Sequence, residues 1–401
     1  MIGRRDILKL TAGSAAAFTV LGLPNAVFAA LPGDRRFVVV LLRGALDGLA
    51  AVPPLADAQY REKRGGLALP APGEADGCLA LDKTFALHPA LAPIFPYWQK
   101  GDLLFVHASG NGYRTRSHFD GQDLMESGLS AKTGLSDGWL NRALADLQHG
   151  NRRLGLAVGG AVPLILRGKV EVASWEPPGG LRDASPEFIA ALEPLYRQDK
   201  LLGPALAEGL KAQHFSESVL GDDMQGGRGF GPKNFAPLAE AAGKLLAAPD
   251  GPRIAVLDMG GWDTHVNQGA AQGRLAQNLA GYADGLDGFA KAMGEAWRQT
   301  VVVAVTEFGR TVAVNGNGGT DHGTASVLLV MGGAVKGGRI AGDWPGLARL
   351  QDDRDLRVAT DSRSVMKGIL RDHLGADGAT LDRKVFPDTQ SLRPFAGLVR
   401  V

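Results

Sequence analysis

Two glycine-rich loops carry histidine and aspartate at spacings that suit a metal ion. Asp263 and His265 lie two positions apart after one apolar segment, and Asp321 and His322 are adjacent before another. The flanking glycines let the backbone expose these side chains, so several of them could bind one ion. Oxygen and nitrogen ligands of this mixture suit zinc, manganese, magnesium or calcium. The pattern therefore predicts a divalent metal site.

Two further carboxylates, Asp47 and Glu307, follow apolar segments and are also candidate metal ligands. Each has a structural alternative. Asp47 precedes Gly48, and an Asp-Gly pair after a strand commonly forms a turn closed by the aspartate side chain. Glu307 could form a salt bridge with Arg310, three positions later. The sequence leaves both interpretations open.

The candidate nucleophile is Ser117, which stands directly before a helical pattern. Unpaired N–H groups and the helix dipole at such a position favour a bound anion. Arg114 and Arg116 could hold the non-bridging oxygens of a phosphate or sulfate. The alternative is that Ser117 serves only as the N-cap of the helix. The segment around Ser109 lacks the first glycine of the G-x-S-x-G pattern, and this disfavours a serine-hydrolase triad.

The segments that must position these side chains alternate between strand and helix patterns. Arg36–Leu42 is a continuous apolar, β-branched run, typical of a strand buried on both faces of a parallel sheet. Similar runs predict strands at 103–107, 154–158, 254–257, 300–305 and 326–331. This alternation predicts an α/β fold, a doubly wound, mostly parallel sheet with helices on both faces. Ligands bind outside the carboxyl ends of such strands, and most of the candidate residues follow predicted strands.

Helical patterns occupy the intervals between the strands. They lie at 90–99, 119–125, 135–147, 186–196, 237–247, 271–297 and 364–374. The alternation breaks at about 175–235, a stretch with Pro-Pro and Gly-Gly steps that we interpret as an insertion or cap. Residues 30–401 are therefore predicted to form a single domain.

Residues 1–29 have the pattern of a twin-arginine signal peptide. Arg4 and Arg5 precede an uncharged run of apolar and small residues, and cleavage is expected after Ala29. The alternative is a membrane anchor, because a bilayer needs a run of about 20 residues. The weak hydrophobicity of the run favours the signal peptide. The segment predicts export by the twin-arginine translocase to the periplasm or outside the cell, with no permanent membrane span.

The composition excludes several classes of protein and site. The chain has 43 Lys and Arg against 42 Asp and Glu, so it lacks the positive excess that binds nucleic acid through its phosphates. Cys78 is the only cysteine, which excludes an intrachain disulfide and a cysteine-based zinc site. A metal must then be held by histidine, aspartate and glutamate.

Four motifs of the chain resemble a family of twin-arginine-exported bacterial proteins of unknown function, and the resemblance covers nearly the whole chain. The motifs are Leu42-Arg43-Gly44-Ala45-Leu46-Asp47-Gly48, Arg116-Ser117-His118-Phe119-Asp120-Gly121-Gln122-Asp123, Gly261-Trp262-Asp263-Thr264-His265 and Thr306-Glu307-Phe308-Gly309-Arg310-Thr311. More distantly, this family is similar to the alkaline phosphatase and sulfatase superfamily. The resemblance implies an alkaline-phosphatase-like fold.

The resemblance also implies roles for individual residues. In the superfamily, a glycine-rich loop presents an aspartate and a histidine to one metal, and a later histidine completes that site. Asp263, His265 and His322 resemble this set. Ser117 matches the superfamily nucleophile by its place at a helix start after the second strand.

A second metal is harder to build from this sequence. The superfamily pattern would need Asp47 and an Asp-His pair where Glu307 and Phe308 stand. Phenylalanine cannot bind a metal. We therefore expect one tightly bound divalent ion per chain, with any second ion weak and oxygen-ligated.

Together these observations predict an exported, metal-dependent hydrolase of phosphate or sulfate esters, acting on a small-molecule or polymer substrate. The alternative is a non-catalytic cell-envelope protein that keeps the fold for binding or assembly, since one fold hosts many functions. The missing histidine at position 308 favours this alternative, and the retained Asp263, His265 and His322 favour the enzyme.

Overall fold

A computed structural model describes residues 31–131, 136–147, 154–177, 202–221 and 231–400, together with 191, 194–196 and 199. The predicted signal peptide at 1–29 lies outside the described residues. So does much of the predicted insertion at about 175–235, including most of the helical pattern at 186–196.

Within the described residues, a central sheet has nine strands, in the order β10-β4-β9-β8-β1-β7-β5-β6, with β11 beside β4. Its strands are β1 (Arg36–Leu42), β4 (Leu103–Gly110), β5 (Gly155–Val158), β6 (Ala173–Trp175), β7 (Ile254–Met259), β8 (Thr300–Thr306), β9 (Ser326–Met331), β10 (Arg339–Ala341) and β11 (Thr360–Asp361). The two remaining strands, β2 (Leu79–Ala80) and β3 (Ala86–Leu87), form a small antiparallel sheet. The predicted strand runs are confirmed as members of one sheet.

The strand β1 shows why this sheet is buried on both faces. Its seven residues are all buried, and Val39 pairs in parallel register with Val256 on one side and Val303 on the other. Val38, Val40 and Leu42 enter one hydrophobic cluster, whereas Phe37, Val39 and Leu41 enter the cluster on the opposite face. A strand with two apolar faces must be covered by helices on both sides.

Helices cover both faces of the sheet. Their bounds are α1 (Gly48–Ala51), α2 (Tyr60–Arg64), α3 (Phe95–Lys100), α4 (His118–Ser127), α5 (Trp139–Leu147), α6 (Leu202–Leu220), α7 (Pro232–Ala247), α8 (Arg274–Met293), α9 (Ser362–Leu374) and α10 (Gly378–Thr380). Side chains of α7 and α8 enter the first cluster and those of α5 and α9 enter the second. The doubly wound α/β prediction is confirmed. Within the described ranges, every helix is too short or too polar to cross a bilayer.

One strand departs from the parallel pattern. β9 pairs antiparallel with β4 on one side and with β8 on the other. Its amino end therefore lies at the edge of the sheet where the carboxyl ends of the parallel strands meet. The loop that precedes β9 can thus reach the same site as the loops that follow β4 and β7.

Candidate metal centre

Four side chains from three segments converge at this edge of the sheet. The start of α4, which follows β4, supplies His118, the loop after β7 supplies Asp263 and His265, and the loop before β9 supplies His322. The Nε2 atom of His322 lies 2.9 Å from Nε2 of His118 and 2.9 Å from Nε2 of His265. A carboxylate oxygen of Asp263 lies 2.9 Å from His265 Nε2 and 3.2 Å from His322 Nε2. Three imidazoles and one carboxylate thus share one small space.

The other ring nitrogen of each histidine contacts an acceptor outside the cluster. His118 Nδ1 lies 2.7 Å from Glu307 Oε1, and His265 Nδ1 lies 3.0 Å from Asp321 Oδ1. His322 Nδ1 lies 2.8 Å from the carbonyl oxygen of Arg116. A carbonyl or an ionised carboxylate has no hydrogen to donate, so when a cation binds at the Nε2 side, each Nδ1 would carry the proton and each neutral ring would keep a lone pair on Nε2.

In that state, three Nε2 lone pairs and the Asp263 carboxylate would face one another with no hydrogen between them. Lone pairs that converge in this way repel one another unless a cation binds between them. Metal-bound histidines characteristically donate their second N–H to a carboxylate or carbonyl, and each of the three rings here has such an acceptor beside Nδ1. The residues present fit a divalent ion, and ligand atoms of His118, Asp263 and His322 lie within 4.8 Å of one another.

The charges around the centre favour a bound cation. Burial alone would raise the pKa of Asp263, but hydrogen bonds from His118, His322 and Arg310 hold it well below its usual range. Hydrogen bonds to Asp263 and Glu307 raise the pKa of His118 to about 9. Without an ion, the same carboxylates thus hold a proton on His118.

Arg310 holds the Asp263 carboxylate in place through a buried ion pair. Its guanidinium is fully buried and its Nη1 donates to Asp263 Oδ1 at 2.6 Å. Its Nε donates to the hydroxyl of Thr320 at 3.0 Å, and its Nη2 donates to the Thr320 carbonyl. Arg310 pairs with Asp263 rather than with Glu307, which corrects the salt-bridge alternative of the sequence analysis.

Glu307 and Asp321 lie behind the histidines. Glu307 is buried, and its Oε1 accepts from the backbone N–H of Gly44 at 2.9 Å as well as contacting His118. Asp321 accepts from the Asn315 amide at 3.0 Å and contacts His265. Each of these carboxylates faces Nδ1 of its histidine, on the side opposite the Nε2 atoms. Glu307 and Asp321 are therefore placed to contact a candidate ligand without facing the ion site, and we call such residues outer partners.

The structure does not bring Asp47 into this cluster. Asp47 is buried at the start of α1, where its side chain accepts from the backbone N–H of Leu49 at 3.1 Å. It also pairs with Arg64 Nη2 at 2.6 Å and accepts from Gln268 at 2.7 Å. These contacts match the turn interpretation of this residue.

The candidate catalytic residues lie in the segment that leads into α4. Ser117 is the N-cap residue of α4, but its side chain makes no capping hydrogen bond. Arg114 is exposed, and its Nη1 donates to the carbonyl of Tyr113 at 3.1 Å. Arg116 adopts a left-handed backbone (φ +63°) that accompanies the contact of its carbonyl with His322.

The guanidinium of Arg116 is already engaged. Its Nη2 lies 2.6 Å from Asp355, which is fully buried, and 2.9 Å from Asp352, which is half exposed. Two carboxylates compensate its charge, so Arg114 is the more open of the two candidate anion-binding arginines.

His118 is a candidate ligand that sequence reasoning missed. The available signal was its position, one residue after Ser117 and at the same sheet edge as the other candidates. Phe308 is buried and stacks on His118 with ring centroids 5.0 Å apart. It forms an apolar wall beside the histidines.

Comparison with solved structures finds several distant matches in fold. They include a phosphonate monoester hydrolase of Agrobacterium radiobacter, with 11% identity over 86% of this chain and 74% of that chain and a TM-score of 0.37. An alkaline phosphatase from the Antarctic bacterium TAB5 has 12% identity over 76% of this chain and 92% of that chain, with a TM-score of 0.37. The C-terminal periplasmic domain of EcEptC from Escherichia coli has 10% identity over 92% of this chain and 91% of that chain, with a TM-score of 0.35.

A search of curated proteins finds no significant sequence match. A family described as a protein of unknown function (DUF1501) matches residues 113–373. This segment is more than half of the chain and contains all four converging side chains. The chain therefore belongs to the DUF1501 family.

Proposed function

We propose that the protein is a metal-dependent hydrolase of phosphate or sulfate esters. The observation that carries the proposal is the convergence of three Nε2 atoms with the Asp263 carboxylate, while each Nδ1 faces an acceptor outside the cluster. His118, Asp263, His265 and His322 would hold one divalent ion. Three nitrogens and one oxygen suit zinc or manganese better than calcium. A bound ion would supply Lewis-acid stabilisation of negative charge on an ester oxygen.

The surrounding residues suit attack on an anionic ester. Ser117 directly precedes the candidate ligand His118, and its hydroxyl is not used as a helix cap. We propose that its oxygen attacks phosphorus or sulfur, displacing the alcohol, and that water later releases the acid. The first N–H groups of α4 and the exposed Arg114 would stabilise the non-bridging oxygens.

A specific observation supports the second candidate function, a non-catalytic cell-envelope protein. Arg116 is paired with Asp352 and Asp355, and Phe308 fills the place of a second-ion ligand. A centre that keeps one ion but binds anions weakly could serve binding or assembly. The hydrolase and the non-catalytic protein would therefore differ in ester turnover, but both would bind one ion.

Metal analysis combined with an ester panel tests the proposal. We expect about one tightly bound ion per chain after dialysis and hydrolysis of at least one aryl phosphate monoester, phosphodiester or sulfate ester. A chelator should remove both the activity and part of the thermal stability, because a ligand that binds the folded state stabilises it by mass action. Added zinc or manganese should restore them.

Each other result has a definite meaning. A protein that contains no ion and shows no melting shift with zinc, manganese, magnesium or calcium contradicts the metal centre. One ion without turnover on any ester favours the non-catalytic candidate. Two tightly bound ions contradict the single-ion site.

We also propose that the protein is exported through the twin-arginine translocase, on the basis of Arg4 and Arg5. Replacing both by lysine should leave uncleaved precursor in the cytoplasm, because this pathway recognises the arginine pair. Cell fractionation followed by immunoblotting measures the result. The matched control is Lys9→Arg in the same segment, which should be exported normally. Unchanged export of the double variant would remove the assignment.

A further inference from the structure

Arg43 follows β1 and lies between two buried carboxylates. Its Nε donates to Asp258 Oδ1 at 2.6 Å, and its Nη1 donates to Glu126 Oε1 at 2.7 Å. The two carboxylate side chains are only 6% and 5% exposed, whereas the arginine is 24% exposed. Burial disfavours its charged form, but the two carboxylates together raise the pKa of Arg43. The guanidinium is therefore a fixed charge held in one orientation.

A third contact connects this arginine to the metal centre. Arg43 Nη1 also donates to Gln122 Oε1 at 3.0 Å. A guanidinium can only donate hydrogen bonds, so the amide oxygen of Gln122 must face Arg43 and the amide nitrogen must point away from it. That nitrogen donates to Glu307 Oε1 at 3.1 Å. Contacts at both ends thus fix the orientation of the amide.

Glu307 Oε1 is the point where this chain of contacts meets the histidine. The carboxylate is fully buried, and the same oxygen that accepts from Gln122 lies 2.7 Å from His118 Nδ1. It also accepts from the N–H of Gly44, the residue after Arg43. A Cβ atom at Gly44 would lie 2.7 Å from the backbone nitrogen of Asp263, so the same loop packs against a second candidate ligand.

We propose that Arg43 and Gln122 are positioning residues for the metal centre. Acting through Glu307, they keep the proton of His118 on Nδ1 and direct its Nε2 lone pair toward the ion. The inference rests on the proposed metal centre and extends it by two layers of residues. A salt bridge needed only for stability would be satisfied by Asp258 and Glu126, without the additional contact to Gln122.

The variant Gln122→Met tests this role without disturbing the buried ion pairs. Methionine has a similar length but no amide, so Arg43 keeps Asp258 and Glu126 while Glu307 loses one donor. We expect the dissociation constant for zinc, measured by competition with a chromophoric chelator on the mature chain, to rise about 10- to 100-fold. The melting temperature of the metal-free protein should change little. The matched control is Gln277→Met on the exposed face of α8, which should leave zinc affinity unchanged.

A second measurement reports the ring of His118 directly and needs no metal. In the metal-free protein, at a pH where the spectrum shows neutral imidazole rings, histidine ¹⁵N NMR should show His118 in the Nδ1-protonated tautomer. Gln122→Met should show a mixture of tautomers, and Arg43→Lys should show a smaller change in the same direction, since lysine lacks the planar fork.

The results separate this inference from the proposed function. Zinc affinity within twofold of wild type, or an unchanged His118 tautomer, in Gln122→Met overturns the positioning role. An equal fall in melting temperature with and without zinc, at unchanged affinity, shows a purely structural role and also overturns it. If the wild type binds no metal, the proposed function fails and the role toward a metal fails with it, whereas a shifted tautomer in the variant would still show that Gln122 orients the ring of His118.

Discussion

Replacing Ser117 by alanine should lower kcat on any hydrolysed ester by about 10³-fold or more, because loss of a nucleophile removes the covalent route. The same change should leave the melting temperature nearly unaltered. The Ser117 hydroxyl makes no capping hydrogen bond, so the usual loss of about 1 kcal/mol for removing an N-cap does not apply. Steady-state kinetics and calorimetry on the same preparation measure both effects.

Thr115→Ala is the matched control for this experiment. Thr115 carries an exposed hydroxyl in the same segment, two residues before Ser117. Its removal should alter neither kcat nor zinc content. If Ser117→Ala retains the wild-type rate, Ser117 is not the nucleophile, whatever happens to the stability.

Replacing His322 by alanine should have the largest effect on metal content. His322 Nε2 lies within 3.2 Å of a ligand atom of each of the three other candidate ligands. We expect the dissociation constant for zinc to rise by more than the roughly 100-fold that marks the upper range for outer partners. The stabilisation by metal should disappear as well, about 2.7 kcal/mol when the free ion is at 100 times its dissociation constant.

Elemental analysis and calorimetry with and without zinc measure this loss, and His214→Ala is the control. His214 is an exposed histidine on α6, so its removal should leave both readouts unchanged. Full zinc content in the dialysed His322→Ala protein would mean that the ion binds elsewhere.

The sequence predicted the sheet well because burial on both faces leaves a strong pattern. The runs at Arg36–Leu42 and Ser326–Met331 match β1 and β9 residue for residue. The direction of β9 could not be predicted in the same way. An apolar run reports that a strand is buried, but its direction depends on the neighbours with which it pairs.

The candidate site was predictable to the extent that local motifs describe it. Asp263, His265 and His322 were found because two short loops present them. His118 was missed because it stands at the start of α4 between a serine and a phenylalanine, outside the glycine-rich loops that mark the other candidate ligands. The placement of Glu307 behind His118 depends on a contact between residues 189 positions apart, which no local pattern encodes.

The antiparallel strand β9 has a consequence for how the protein folds. Within the described residues, the path through the sheet from β4 to β8 runs through β9, although β9 comes more than 200 positions after β4 along the chain. The candidate metal centre joins the two parts of the sheet that β9 connects. His118 follows β4 on one side of β9, and Asp263 follows β7 on the other side. A bound ion would act as a cross-link between the two halves, and closing so long a loop restricts the unfolded chain strongly. Ion release and separation of the halves should then be coupled, so that the ion slows unfolding as well as opposing it at equilibrium.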